Sequence, residues 1–245
     1  MQKVVLDGNK RLDGRSFQQI RHLYMQQGVN SRASGSAYIE SGNTKIICSI
    51  FGPRQRKKKS GVKGQINVDF RFCSFANKDE TLHKYASLNE KNIAFQIEQT
   101  VRTTLKIELL PKSEVDICVL VLQDDGSVLA SSLNCVVLAL VDAGFEIFDL
   151  VSSCQVIKIQ NELFIDSTYK EEEESTGIVM ISLMPSLSEI AHILQTGEIS
   201  QLDMIEATKI CLDGCAVVYS LIKDLEKLQV KRQIGCFRAL PTELF

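Results

Sequence analysis

Four short stretches of this 245-residue chain carry side chains whose types and spacing suit chemistry. Arg54, Arg56, Lys57, Lys58, Lys59 and Lys63 put six cations into ten residues. Flexible cations with no aromatic ring between them suit a phosphate backbone and have no means of reading bases. Taken alone, the run reads better as a solvated surface loop. Asp124-Asp125-Gly126-Ser127 precedes a helical pattern. A Gly–Ser turn there offers unpaired N–H groups and a positive dipole end to an anion. Asp and Ser serve equally well there as plain caps, and Val128, Leu129 and Ala130 bring no cation. Glu171-Glu172-Glu173-Glu174 follows Asp166. Carboxylates must converge to hold Mg²⁺ or pass a proton, and consecutive ones diverge, so a solvated acidic turn is expected. Arg11-Leu12-Asp13-Gly14-Arg15 reads as a solvated turn before a strand. His22, His83 and His192 stand far apart, and no nucleophile–base set, phosphate loop or zinc spacing is present. No metal and no cofactor is expected.

The background to these stretches is ordinary. The chain is 44% hydrophobic and 24% charged with a net charge of −2, the composition of a soluble globular protein. Affinity for nucleic acid would therefore have to come from a local patch. No apolar run approaches the ~18 residues of a membrane span, and Met1–Asp7 meets charge too early for a signal peptide. Neither a membrane partner nor a leader is expected. The cysteines lie scattered within apolar runs, as buried thiols of a reducing intracellular compartment do. Cys211 and Cys215 stand one helical turn apart and are read as core packing, not a metal pair.

Strands are expected at Ser34–Glu40 and Thr44–Phe51, joined by a tight turn at Ser41-Gly42-Asn43, and again at Asn67–Cys73. The period then changes. Ile93, Ile97, Val101 and Leu105 repeat every four residues, predicting a helix over Leu88–Leu110. Val115–Leu122 is nearly all apolar, as in a strand buried on both faces. Ser127–Asp142 is apolar almost all round and stops at Gly144. Leu150–Ile159 and Leu163–Asp166 form a hairpin pattern, Ile178–Met184 a buried strand and Glu189–Gln195 its partner. Ser200 opens a long helix whose apolar face is Leu202, Ile205, Leu212, Cys215, Tyr219 and Ile222, fading near Val230. The class is α+β, with lobes at 1–148 and 149–230 and a tail at 231–245.

In order and register, these stretches resemble one family. Arg11-Leu12-Asp13-Gly14-Arg15 is similar to the opening motif of the RNase PH-type phosphorolytic exoribonucleases and the exosome ring subunits related to them. Gly35-Ser36-Ala37, Gly42-Asn43-Thr44-Lys45, Phe51-Gly52-Pro53-Arg54, Asp124–Ser127 and Leu138–Gly144 continue the likeness. The second half resembles the ring subunits that lack a catalytic site, at Glu146–Val151, Asp166–Glu173, Leu183-Met184-Pro185 and Leu212–Cys215. The resemblance implies an RNase PH fold, with an N-terminal lobe like ribosomal protein S5 domain 2. It also implies a hetero-hexameric ring of related subunits around single-stranded RNA, capped by subunits with S1 or KH domains, in nucleus, nucleolus and cytoplasm.

Carried over by position, active relatives have an arginine after Gly126-Ser127, where this chain has Val128. Their two acidic positions fall at Glu172 and Ile178. The resemblance therefore implies a degenerate site with no catalytic residue and a structural, RNA-guiding role in 3′→5′ RNA processing and degradation. The alternative is an active phosphate-dependent 3′→5′ exoribonuclease. In the family, the segment after Gly52-Pro53 lies near the channel, which favours RNA contact for the basic run.

Overall fold

A computed structural model describes residues 11, 13–55, 64–76, 88–160 and 162–238, with side chains through Val230. Arg54 falls within these ranges, whereas Arg56, Lys57, Lys58, Lys59 and Lys63 lie outside the described residues. The first sheet holds β1 (Leu23–Gln27), β2 (Gly35–Ser41), β3 (Thr44–Gln55), β4 (Gln65–Phe72) and β5 (Ser113–Gln123), in the order β1-β2-β3-β5-β4. Only the β4–β5 pair is parallel. Its inward positions alternate, as Ala37 and Ile39 meet Ile46, Cys48 and Ile50 and then Ile117, Val119 and Val121. β5 is thus buried on one face only, because nothing among the described residues covers the Leu120 side. The continuous apolar run had suggested two buried faces.

Helices α1 (Leu88–Thr104) and α2 (Val128–Asp142) pack on the inner face. The longer helix expected to reach Leu110 stops at Thr104, and a 3₁₀ turn at Ile107–Leu109 follows. The second sheet has β7 (Glu162–Ile165), β6 (Ser152–Ile159), β8 (Gly177–Met184) and β9 (Glu189–Gly197) in that order, all antiparallel. Asn134 of α2 pairs with Ser153 of β6 in both directions, at 3.0 and 2.8 Å. α2 therefore lies between the two sheets, which is why it can be apolar all round.

The far face of the second sheet carries α4 (Gln201–Arg238), which continues past Val230, where the periodicity faded. Its buried face is Ala207, Cys211, Cys215, Val218 and Ile222, whereas Leu202 and Ile205 of the expected stripe are exposed. Small residues decide this rotation. A Cβ on Gly214 would lie 2.5 Å from Ile165 Cδ1, so the helix approaches the sheet along its Ala–Cys–Gly side. Cys211 and Cys215 are core residues, and burial pushes the Cys215 thiol up to about 12.

Candidate functional site

The site is built where the start of α2 meets α3 (Tyr169–Glu174), a single short helix that joins β7 to β8. Gly126 has φ 82°, and a Cβ there would come within 2.6 Å of the Thr168 carbonyl carbon. Only glycine lets the two segments approach so closely. Ser127 follows in the left-handed region at φ 53° and makes no side-chain cap. Asp124 Oδ1 accepts from Gly126 N at 3.0 Å, which holds the turn but leaves the helix start open.

Glu172 closes it. One oxygen, Oε1, accepts from Ser127 N at 2.7 Å, Gln155 Nε2 at 2.6 Å and Ser167 Oγ at 2.8 Å. Three donors from three segments converge where an oxyanion would be received. Burial raises the Glu172 carboxyl above the ordinary carboxylate range despite these hydrogen bonds. Asp124 beside it is raised by the same cause.

A second carboxylate of the acidic run also turns inward, which overturns the solvated turn expected there. Glu171 Oε1 accepts from Arg11 Nε at 2.8 Å, and its Oε2 takes the Thr168 N–H of a capping box at 2.8 Å. Burial alone would raise Glu171, but Arg11 and the Thr168 N–H hold it below the usual range. The helical turn of α3 accounts for this, because it sends Glu171 and Glu172 to two buried partners and leaves Glu173 and Glu174 exposed. Arg11 itself is fully buried, donating also to the carbonyls of Ile165 and Asp166. The solvated turn expected at Arg11–Arg15 is corrected accordingly, since Arg15 too reaches Asp166 O at 3.3 Å.

Asp166 completes the cluster. Its Oδ1 pairs with Arg21 Nη2 at 2.7 Å, and Arg21 donates onward to the carbonyls of Asp125 and Gly126. Burial would raise Asp166, but Arg21 outweighs it and holds the carboxyl low. Arg21 and Gln155 carried no functional signal in the sequence, and Arg11 and Ser167 stood out only within stretches that resemble the family, because the partners of each lie in another segment or are fixed by the turn of α3.

The remaining expected positions separate. Gly126, Ser127 and Glu172 come together. Val128 packs against the main core, and Ile178 joins an apolar cluster with Ile157, Ile159 and Phe164. Arg54 is exposed at the end of β3, 3.9 Å from Asp116 and over the Phe51 ring. Beside the Asp124-Asp125 turn opens a cleft of about 850 Å³ lined by Asn43, Lys45, Phe75, Asp125, Tyr169 and Lys170. Its lysines suit phosphate contact and its rings suit stacking on a base. Among the described residues no group of three His, Cys, Asp or Glu side chains is placed to hold a metal ion.

Residues 19–146 match the family described as "3' exoribonuclease family, domain 1". An Arabidopsis thaliana protein named exosome complex component RRP41-like is 36% identical over 219 residues, covering 89% of this chain and 84% of that protein. The human exosome complex component MTR3 is 29% identical over 222 residues, covering 83% and 81%. Among solved structures, rice (Oryza sativa) Rrp46 superposes with a TM-score of 0.77 at 21% identity, over 87% of this chain and 98% of that one. An Archaeoglobus fulgidus exosome with RNA bound to the active site gives 0.75 at 18%, over 86% and 91%.

Proposed function

The chain belongs to the 3′ exoribonuclease family, with the RNase PH fold and exosome ring subunits as homologues, and on that premise we propose that it is a non-catalytic ring subunit. One observation carries the reading: the Ser127 N–H that opens α2, and the Gln155 and Ser167 donors that converge on it, are already taken by Glu172 of the same chain. Phosphorolysis must bring inorganic phosphate against a phosphodiester, and these two anions repel unless cations offset them. Here the next residue is Val128, and the second acidic position is Ile178, packed among apolar side chains. Losing one such stabilising contact lowers a rate by a factor on the order of 10²–10³. The residues present do not fit a phosphate and magnesium pair, and no step is routed through one. Purified chain with Mg²⁺, phosphate and an RNA oligonucleotide should release no nucleoside diphosphates. Release at the rate of an active homologue would end the reading.

The role that remains is structural and RNA-guiding, in a hetero-hexamer of related subunits under S1- or KH-domain caps, with MTR3-like character in the second half of the chain. Arg54, Arg56, Lys57, Lys58, Lys59 and Lys63 would meet the RNA backbone. Neutralising all six should reduce the salt dependence of RNA binding by the assembled ring, by about 0.7 in slope per lost contact. An unchanged slope would discard this part. An exosome role further implies the nucleus, nucleolus included, and the cytoplasm, which microscopy of the tagged chain checks.

A further inference from the structure

The group that Glu172 presents to the start of α2 is an oxyanion, and the donors that receive it are held in place without it. Gln155 Nε2 also donates to Ser167 Oγ at 3.2 Å, so these two side chains keep each other in register. Both are buried, at 6% and 0% exposed, and they come from segments other than α2. The third donor, Ser127 N–H, is fixed by the Gly126 turn and its close approach to Thr168. Ser127 is itself 2% exposed, and its hydroxyl makes no cap. The first-turn N–H groups of α2 therefore keep their positive end toward the same place.

Glu172 fills this cradle with one oxygen. Oε1 takes all three donors, and among the described residues none donates to Oε2. Its mount is rigid for reasons that do not involve it, because Arg11 and the Thr168 N–H anchor Glu171 beside it. Removing the Glu172 side chain thus leaves both the donors and α3 where they are. The surrounding charge is mixed: Arg21 acts on Glu172 favourably, and Asp124 acts against it. Asp124 also borders the cleft of about 850 Å³, which Lys45 and Lys170 line as well. The cradle lies at the edge of that cleft, which gives a small anion a way in.

We propose that Glu172 is a tethered plug: its carboxylate stands where a free tetrahedral oxyanion would sit, and truncating it opens a site for inorganic phosphate. The proposal rests on the non-catalytic reading above and gives it a cause, a site shut from within and not dismantled. A carboxylate on a fixed helix has a far higher effective concentration at the donors than free phosphate, so the wild-type site stays shut. A lone phosphate, unlike the pair that phosphorolysis brings together, meets no second substrate anion. Its affinity for the opened site is modest all the same, since Val128 brings no cation and Asp124 remains nearby.

The test is calorimetric titration of the full chain with inorganic phosphate, beside thermal melts in phosphate and in chloride of equal ionic strength. Glu172→Ala should bind phosphate with a Kd on the order of 1 mM, and about 10 mM phosphate should raise its Tm by about 3–5 °C. Glu172→Ser leaves the same space and should behave alike. Wild type and Glu172→Gln keep an oxygen on the donors, so both should bind at least ~10-fold more weakly and melt alike in the two salts. Folded Ala and Ser variants that bind no phosphate overturn the plug and leave the non-catalytic reading standing. Equal binding by all four proteins does the same, because the ion then sits elsewhere. If neither the Ala nor the Ser variant folds, Glu172 is a part of the fold and the plug is overturned. Nucleoside diphosphates released by wild type end the non-catalytic reading and the plug with it.

Discussion

Helices α2 and α3 start against each other and are capped in opposite ways. α3 is capped within its own sequence, by Thr168 and by Glu171 three residues on. α2 is capped from 45 residues away, by Glu172. The two carboxylates are adjacent in the chain, yet Glu171 has a buried guanidinium beside it, whereas Glu172 has only neutral donors. Burial is common to both, so the partner decides which way each carboxyl moves. A charge partner holds a buried carboxyl below the ordinary range; with neutral donors alone, burial prevails and the carboxyl rises.

The largest effect should come from stripping Glu171 of its ion. Arg11→Met leaves a buried carboxylate unpaired and should destabilise the chain by about 3–5 kcal/mol, read by denaturant unfolding. Arg11→Met/Glu171→Gln should recover part of that loss, because the amide can still accept from Thr168. A double-variant loss equal to the sum of the Arg11→Met and Glu171→Gln losses would mean that the pair is not coupled. Gly126→Ala comes next. Positive φ and overpacking against the Thr168 carbonyl together should remove about 2–4 kcal/mol, lowering Tm by several degrees. A variant that melts like wild type would show that the two helix starts are not in close contact.

The caps themselves give the smaller, sharper contrast. Glu172→Ala orphans three donors and should cost about 1–3 kcal/mol. Thr168→Ala removes one local cap and should cost about 1 kcal/mol. The reverse order would mean that the long-range cap is incidental.

This contrast also marks what the sequence could disclose. The Thr168-Tyr169-Lys170-Glu171 spacing is a weak signal only because four glutamates compete for the role, and helical geometry chooses Glu171. Alternation placed β2 and β4 within two residues and the start of β3, which runs four residues past its expected end, and period four placed α1. β1 escaped because Leu23–Gln27 ends in two glutamines and carries little apolar contrast. The face of α4 was misread because Ala207 and Gly214 pack closely and score as weakly apolar. The site was legible in part: Gly126, Ser127 and Glu172 were singled out and do meet. Arg21 was not, and Arg11 was read as part of a solvated turn, since no local pattern reveals that a charged residue near the start of the chain closes on Glu171 or Asp166. The resemblance supplied the register that local physics lacked.

The last prediction separates the two carboxylates by pH. Asp166 and Glu171 are held low, so their contribution to stability is present above the unfolded carboxylate range near pH 4 and is lost as pH falls through their folded values. Glu172 is raised, so its contribution has the opposite sign: it is present at low pH and lost as pH rises through the folded value. Glu172→Gln keeps an oxygen for the Ser127, Ser167 and Gln155 donors and removes the charge. Relative to wild type, this variant should gain stability as pH rises above about 4, level off once pH has passed the folded value of Glu172, and lose the advantage again on acidification. Urea midpoints across that range measure it. A difference that is flat, or that widens toward acid, would mean that Glu172 is stabilised as an anion, and the distinction between the two neighbouring carboxylates would be lost.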